Sequence, residues 1–296
     1  MTNRVPDSYI KCVLCLRRFH QICVMYFEDL HRKFICVNCS VDRKIRTIKL
    51  TASALPQSNC SIFVQKELEK NNLNTAGNVT IRVLSDQEMT VTTKPQYSKV
   101  VGEFNISYRN RALFAFHKIN GDDVCFFGAY FQVYDDDCSI ESNRNTIYLS
   151  YLDSVNLKKY VLSRTKIYQQ ILLGLFLFYK QKRYKKVCLW SCPPKKRTDY
   201  IFNVKPVDQK IPNQKRLSNW YRDLFRIGMK SGVIEDFKNV LQYGLQQKWK
   251  NIKELPYFEG DLWPLQNEDS IKNSIAYLDE MSQKLLAIVC CFESHY

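Results

Sequence analysis

The sequence predicts an α/β protein, a mixed central sheet flanked by helices, preceded by a small cysteine-rich zinc module. Three observations carry this. Two CxxC pairs fall within the first 40 residues. Two apolar runs meet at Asn120-Gly121, a dipeptide that strongly favours a tight hairpin turn. A helical stretch from about Arg164 to Lys182 then stands between two short apolar strands, the alternation of an α/β domain. The 296 residues, 45% apolar and 13% aromatic, suffice for one large domain or one domain plus an appendage, and exclude a disordered chain.

The first element is the cysteine module, spaced Cys12-x2-Cys15-x4-His20-x2-Cys23-x12-Cys36-x2-Cys39. Two CxxC knuckles separated by a loop supply four thiolates tetrahedrally to one Zn²⁺. The polar stretch KIRTIKLTASALPQSNCS reads as a linker. TIRVL and EMTVTT are expected as the two strands of a hairpin, and ALFAFHKINGDDVCFFGAYFQVY as two further strands about Asn120-Gly121. A buried strand is expected in TIYLSYL, then the helix from Arg164, then the short strand VCLWS (187–191). Beyond the Pro193-Pro194 break, helices are expected at 213–231, 234–249 and 268–286. No internal repeat or low-complexity tract interrupts this order.

A formal charge of +15 and a pI near 9.2 favour a polyanionic partner: nucleic acid, a membrane surface or a phosphorylated cofactor. MTNRVPDSYIK lacks the apolar run of a secretory signal, and ILLGLFLFY is too short to cross a bilayer, so no membrane association is expected. Twelve cysteines in such a chain point to a reducing compartment.

Several residues carry chemistry. SYLDSV ends a strand with a carboxylate and a hydroxyl, where a ligand commonly sits at a sheet edge. Arg164-Thr165 opens a helix, whose N–H groups and dipole favour phosphate. In DQKIPNQKRLSNWYRDLF, Trp220 and Tyr221 are helical neighbours about 100° apart and cannot share one core face. One of them is therefore expected to look at something other than core.

The blocks RALFAFHKINGDDVCFFG, YLSYLDSV, LWSCPP, DYIF, DQKIP, KRLSNWY and KELPYFEGDLWP resemble the catalytic domain of CREB-binding-protein-type lysine acetyltransferases. The resemblance runs in order from about Lys11 to Leu286. It implies an acetyltransferase core over 61–296, C-terminally incomplete, a linker over 42–60 and a partial PHD-type zinc module over 1–41. By that resemblance Cys12, Cys15, Cys36 and Cys39 share one zinc, and His20 with Cys23 forms a half-site.

The resemblance also implies site residues. Acetyl-CoA would be held by Leu152, Asp153, Ser154, Arg164, Thr165, Ile211, Arg216 and Trp220. Tyr221 would be the general acid, with Trp220 and Trp190 beside it. Tyr200 and Cys192 would line the lysine tunnel, and Glu259 would supply an acidic group to the substrate pocket. Cys188 stands where the family has a histidine, and Asn110 near where it has a threonine.

The implied function is nuclear acetylation of lysines on histones and other proteins, as a transcriptional coactivator working with transcription factors and without direct sequence-specific nucleic acid binding. Two readings compete with it. One is a weak or inactive paralogue that still binds CoA or transcription factors; the other is a basic nucleic-acid-binding module using clusters such as PPKKR. Cys192 is a candidate nucleophile, but no histidine is near it in sequence.

Overall fold

The structure is a computed structural model and describes residues 9–21, 24, 26, 33–45, 51–71, 79–95, 98, 102–119, 121–157, 164–194, 200–202, 205–206, 208–249, 254–260 and 289–291. The N-terminal module contains a two-stranded antiparallel ribbon, β1 (Tyr9–Lys11) and β2 (Arg18–His20), and a short helix α1 (Val37–Asp42). Helix α2 (Asn59–Lys70) starts at a capping box in which Ser58 and Ser61 exchange backbone and side-chain hydrogen bonds.

A seven-stranded sheet follows. Its strands are β3 (Val79–Thr92), β4 (Asn105–Ile119), β5 (Asp122–Tyr134), β6 (Thr146–Ser154), β7 (Lys186–Leu189), β8 (Asp236–Lys238) and β9 (Val289–Cys291), in the order β3-β4-β5-β6-β7-β9-β8. Strands β3 to β6 pair antiparallel, β6 and β7 pair parallel, and β9 lies antiparallel between β7 and β8. The crossover from β6 to β7 is helix α3 (Arg164–Gln181). Helices α4 (Gln214–Lys230) and α5 (Val240–Gln246) complete the described elements, so the expected mixed sheet with flanking helices is present.

Side-chain alternation assigns the two faces of the sheet. Leu113, Ala115, Ala129, Phe131, Ile147 and Leu149 join α2 and α3 in the main core, with Val64, Leu68, Ile171, Leu172 and Phe176. On the other face Tyr108, Tyr134, Tyr148 and Cys188 pack against Tyr257 and Phe258, the Tyr148 and Phe258 rings stacked 4.1 Å apart. Residues 51–55 lie on this sheet as well: Ala52 is buried against Phe116 and Cys125, and its N–H donates to Asp123 Oδ2 at 2.7 Å. The Arg82 guanidinium donates to the carbonyls of Ser53 and Leu55.

The hairpin at Asn120-Gly121 is present: Ile119 pairs with Asp122, and Gly121 has φ +84°, the left-handed region such a turn requires. Two expectations change. TIRVL and EMTVTT are not two hairpin strands but one continuous strand, β3. Its register shifts between Val83 and Ser85, and both halves pair with the 15-residue β4. Ser85 and Asp86 favour turns, yet the residues on either side of them both pair with β4, and a bulge beside Leu84 absorbs the irregularity. The helix expected at 234–249 is instead β8 followed by α5. Asn239 caps α5 by accepting from Gln242 N, with Gln242 returning a bond to Asn239 N. The helix expected at 268–286 lies outside the described residues, while Val289–Cys291 of the apolar KLLAIVCCF stretch enters the sheet.

Candidate active site and cysteine cluster

A cavity of about 640 Å³ opens where β6 ends, at the edge at which the antiparallel and parallel parts of the sheet meet. Its walls come from the C-terminal half of β6, the start of α3, the segment after β7, the loop leading into α4, the first two turns of α4, and Glu259-Gly260. All the residues expected around acetyl-CoA line it: Leu152, Asp153, Ser154, Arg164, Thr165, Ile211, Arg216 and Trp220. So do Tyr221, Trp190, Tyr200, Cys192 and Glu259.

Helix α4 explains the Trp220-Tyr221 pair. Asn213 caps the helix by accepting from Arg216 N at 2.9 Å, which fixes its rotation. Ser218, Tyr221, Leu224, Phe225 and Gly228 then face inward and bury. Tyr221 is only 4% exposed, stacked on Phe225 and in edge contact with Trp220, whose ring sits half-buried at the cavity wall. Burial pushes the Tyr221 phenol well above its ordinary pKa, and nearby Tyr200 adds to this. The hydroxyl is thus held as a neutral donor at neutral pH.

Asp153 organises the opposite wall. Its Oδ2 accepts from the backbone N–H of both Ile201 and Phe202 at 3.1 Å, and its Oδ1 accepts from Lys205 Nζ at 2.9 Å and from Ser154 N at 2.8 Å. With a side chain 8% exposed, this carboxylate is consumed in tethering Ile201, Phe202 and Lys205 to the end of β6. The tether holds Tyr200 against Tyr151, ring centroids 5.6 Å apart, and lets the Tyr200 hydroxyl donate to the Cys192 carbonyl at 3.3 Å. Gly128, opposite Asp153 in the ladder, leaves room for this packing: a Cβ there would lie 3.2 Å from Ile201 Cδ1.

Gln209 closes the loop ahead of α4. Its amide donates to Ser154 O and accepts from Asn156 N, both at 2.8 Å, as an added strand residue would. Gln214 donates to Ser191 O at 2.6 Å and joins α4 to the segment after β7. Lys205, Asn156 and Tyr168 are lining residues that the sequence reading missed. Lys205 falls in none of the quoted motifs, whereas Gln209 stands inside DQKIP. Cys188 and Asn110 are absent from the lining; Cys188 belongs to the second core.

Glu259 reaches the cavity because the segment before it is clamped. The Asn143 amide donates to Tyr257 O and its oxygen accepts from Tyr257 N, while Gln132 donates to Glu259 O at 2.7 Å. The lining combines Arg164, Lys205, Lys210 and Arg216 with Trp190, Tyr200, Trp220 and Tyr221, and no histidine is among it. It therefore offers cations to an anionic ligand and an apolar aromatic channel to a second, uncharged group.

In the N-terminal module, the sulfurs of Cys12, Cys15, Cys36 and Cys39 all lie within 4.8 Å of one another. Cys15 Sγ and Cys36 Sγ are 3.7 Å apart, matching the edge of a tetrahedron with metal–sulfur bonds of about 2.3 Å. Cys36 N donates to Cys12 Sγ at 3.3 Å. Burial raises the Cys12 thiol, but hydrogen bonds from Cys36, Cys15 and Leu14 outweigh it and bring the pKa down to about 6. Burial raises Cys36, and the neighbouring Cys36 sulfur pushes Cys39 up to about 12, so these sulfurs titrate as one group. The four residues fit a Zn²⁺ ion. Cys23 and the His20 side chain lie outside the described residues.

The family model for the histone acetyltransferase domain KAT3 matches residues 64–285. The chain belongs to this family. The KAT3 match begins inside α2 and takes in β3 through α5, so it contains every wall of the cavity. Among curated proteins, the chain is 33% identical to protein cbp-1 of Caenorhabditis elegans over 282 residues, which cover 90% of this chain and 14% of that protein. It is 30% identical to the probable histone acetyltransferase HAC-like 2 of Oryza sativa subsp. japonica, over 89% of this chain and 21% of that protein. It is 28% identical to histone acetyltransferase HAC1 of Arabidopsis thaliana, over 91% and 18%. The chain thus spans about a fifth or less of these relatives. No helix among the described residues is long and apolar enough to cross a membrane.

Proposed function

We propose that this chain is a lysine acetyltransferase. It moves the acetyl group of acetyl-CoA to the side-chain amine of lysines on histones and other proteins, and acts in the nucleus as a transcriptional coactivator beside transcription factors. The observation that carries this reading is that residues from widely separated stretches, each expected to hold acetyl-CoA or the lysine, line one cavity. The relatives bearing the name histone acetyltransferase support it.

In this reading Arg164 and Arg216 clamp the phosphates of CoA, Arg164 and Thr165 adding the positive end of α3. Leu152, Ser154, Ile211 and Trp220 enclose the acyl-bearing arm, while Asp153 keeps its neighbouring wall in place. The incoming lysine passes Trp190, Cys192 and Tyr200, with Glu259 attracting its ammonium to the entrance. A lysine of pKa about 10.4 must lose a proton to attack. Removal from water between aromatic rings disfavours its charged form, so the ammonium gives that proton to solvent as it enters.

The neutral nitrogen then attacks the thioester carbonyl, already held close and aligned. A C–N bond forms, the C–S bond breaks, and the electron pair leaves on sulfur. The Tyr221 hydroxyl donates to that sulfur as charge builds. Burial raises this phenol above its usual pKa, so it meets the sulfur as a neutral hydrogen-bond donor and gives up its proton only as the charge on sulfur develops. The proton shed by the nitrogen restores the tyrosine, giving amide and free thiol. No covalent enzyme intermediate is needed; among the described residues lining the cavity no histidine stands beside Cys192. Cys12, Cys15, Cys36 and Cys39 hold one Zn²⁺ that ties the N-terminal module together, with His20 and Cys23 as a half-site.

The test is incubation of the chain with acetyl-CoA and histone-tail peptides, with product read by mass spectrometry. Acetylated lysine that depends on the chain is the expected result. A folded chain that binds CoA and transfers nothing would overturn the reading in favour of an inactive paralogue.

A further inference from the structure

The exposed face of α4 is a row of cations. At about 100° per residue, Lys215, Arg222, Arg226 and Lys230 fall within an arc of about 80°. All four are exposed, and the row spans about 22 Å at 1.5 Å per residue. Asp223, the acid of this helix, lies beyond the arc and among the described residues pairs with Arg226, at 3.0 Å with both side chains well exposed, a contact of little strength. Lys215, Arg222 and Lys230 make no ion pair to the described residues. Arg216, about 100° round the helix from Lys215 and outside this arc, lines the cavity instead.

We propose that this row docks on the phosphate backbone of double-stranded DNA beside the protein whose lysine enters the cavity. Charge decides the kind of partner: a histone tail is itself basic and is repelled by the row, whereas a phosphate strand complements it. About six phosphates of one strand lie alongside a rod 22 Å long. An acidic peptide is the poorer match, because such partners add apolar anchors and the row offers only Met229 to receive them. A further overall charge of +15 steers the same encounter. The contact is with backbone and carries no sequence preference. It rests on the acetyltransferase reading for its setting alone.

The experiment is fluorescence anisotropy of a 20-base-pair duplex titrated with the chain between 50 and 200 mM salt. Four phosphate contacts give a log–log slope near −3.6, a loss of affinity of about 10²-fold across that range. Arg222→Gln with Arg226→Gln, neither in the cavity, leaves about two contacts and a loss of about tenfold. Circular dichroism and CoA affinity should be the same in both proteins. If the double variant misfolds, Lys215→Gln alone should lower the slope by about one. An unaltered slope in either variant, or no binding at 50 mM salt, overturns the proposal. Equal competition by polyglutamate or by phosphatidylserine vesicles would make the row a general anion surface and overturn DNA as its occupant. Acetylation of a free histone-tail peptide, followed in the same preparations, should be unchanged; its absence in all of them would refute the enzymatic reading while leaving the DNA result standing.

Discussion

Replacing Asp153 by alanine removes the tether of Ile201, Phe202 and Lys205 while leaving β6 intact. The lost contacts are two backbone hydrogen bonds to a charged acceptor, at 3.1 Å, and an ion pair at 2.9 Å, all on a side chain 8% exposed. Hydrogen bonds to charged groups contribute about 1.5–3 kcal/mol each, so the two amides alone lose about 3–6 kcal/mol. The loop can detach without unfolding the sheet, and the loss should appear locally. Amide hydrogen exchange followed by mass spectrometry is the assay. Peptides containing Ile201 and Phe202 should exchange roughly 10²- to 10⁴-fold faster, at 1.4 kcal/mol per tenfold. Peptides from β4, carrying Leu113 and Ala115, should hardly change. Lys205→Met, which removes only the ion pair, should give a much smaller acceleration. Unchanged exchange at 201–202 would refute the tether. Equal acceleration in β4 would show that Asp153 supports the whole domain and not this wall.

Other outcomes follow from the same geometry. Tyr221→Phe should lower kcat for a histone-tail peptide by roughly 10²–10⁴ with CoA affinity unchanged; a wild-type rate would remove the phenol from the chemistry. Arg164→Ala should weaken CoA binding and flatten its salt dependence in calorimetry, and equal affinity would eliminate the phosphate contact. Metal analysis should find one Zn²⁺ per chain, lost in Cys36→Ser; zero in the wild type would refute the thiolate site. The phenols of Tyr134, Tyr179 and Tyr221 are all raised, burial being the largest cause. Each stays neutral in the folded chain after its unfolded counterpart ionises near pH 10, so its stabilisation is complete below that pH and falls above it, by about 1.4 kcal/mol per pH unit. Denaturant titrations should show stability declining beyond pH 10, less steeply in Tyr179→Phe; an unchanged slope in that variant would contradict the burial argument.

Legibility in the sequence depended on how local each cause was. The Asn120-Gly121 turn, the α3 helix and α4 each follow from signals within a few residues, and each is where it was expected. The bulge in β3 was hidden because its cause is the length of the partner strand, not anything in Ser85-Asp86-Gln87. The shortening of the 234–249 helix had a readable sign, the Asn239 and Gln242 capping box, whereas pairing of 236–238 with 289–291 was set by distant chain. Motif resemblance indicated which residues would gather at the cavity. It said nothing of Lys205, or of Asp153 holding a backbone loop nearly fifty residues away, since those contacts depend on three-dimensional register.

The insertion of β9 between β7 and β8 bears on the order in which the chain acquires its shape. Strands β3 to β6 pair with their neighbours in sequence, so each can zip onto the last as it leaves the ribosome. Lys186 and Val187 pair with β6 on one side, but on the other they must await partners more than a hundred residues further on. Closing so long a loop is entropically expensive and slow. The β7 edge therefore stays open through much of synthesis, and the segment from 190 to 230 that walls the cavity is made before the sheet beneath it is complete.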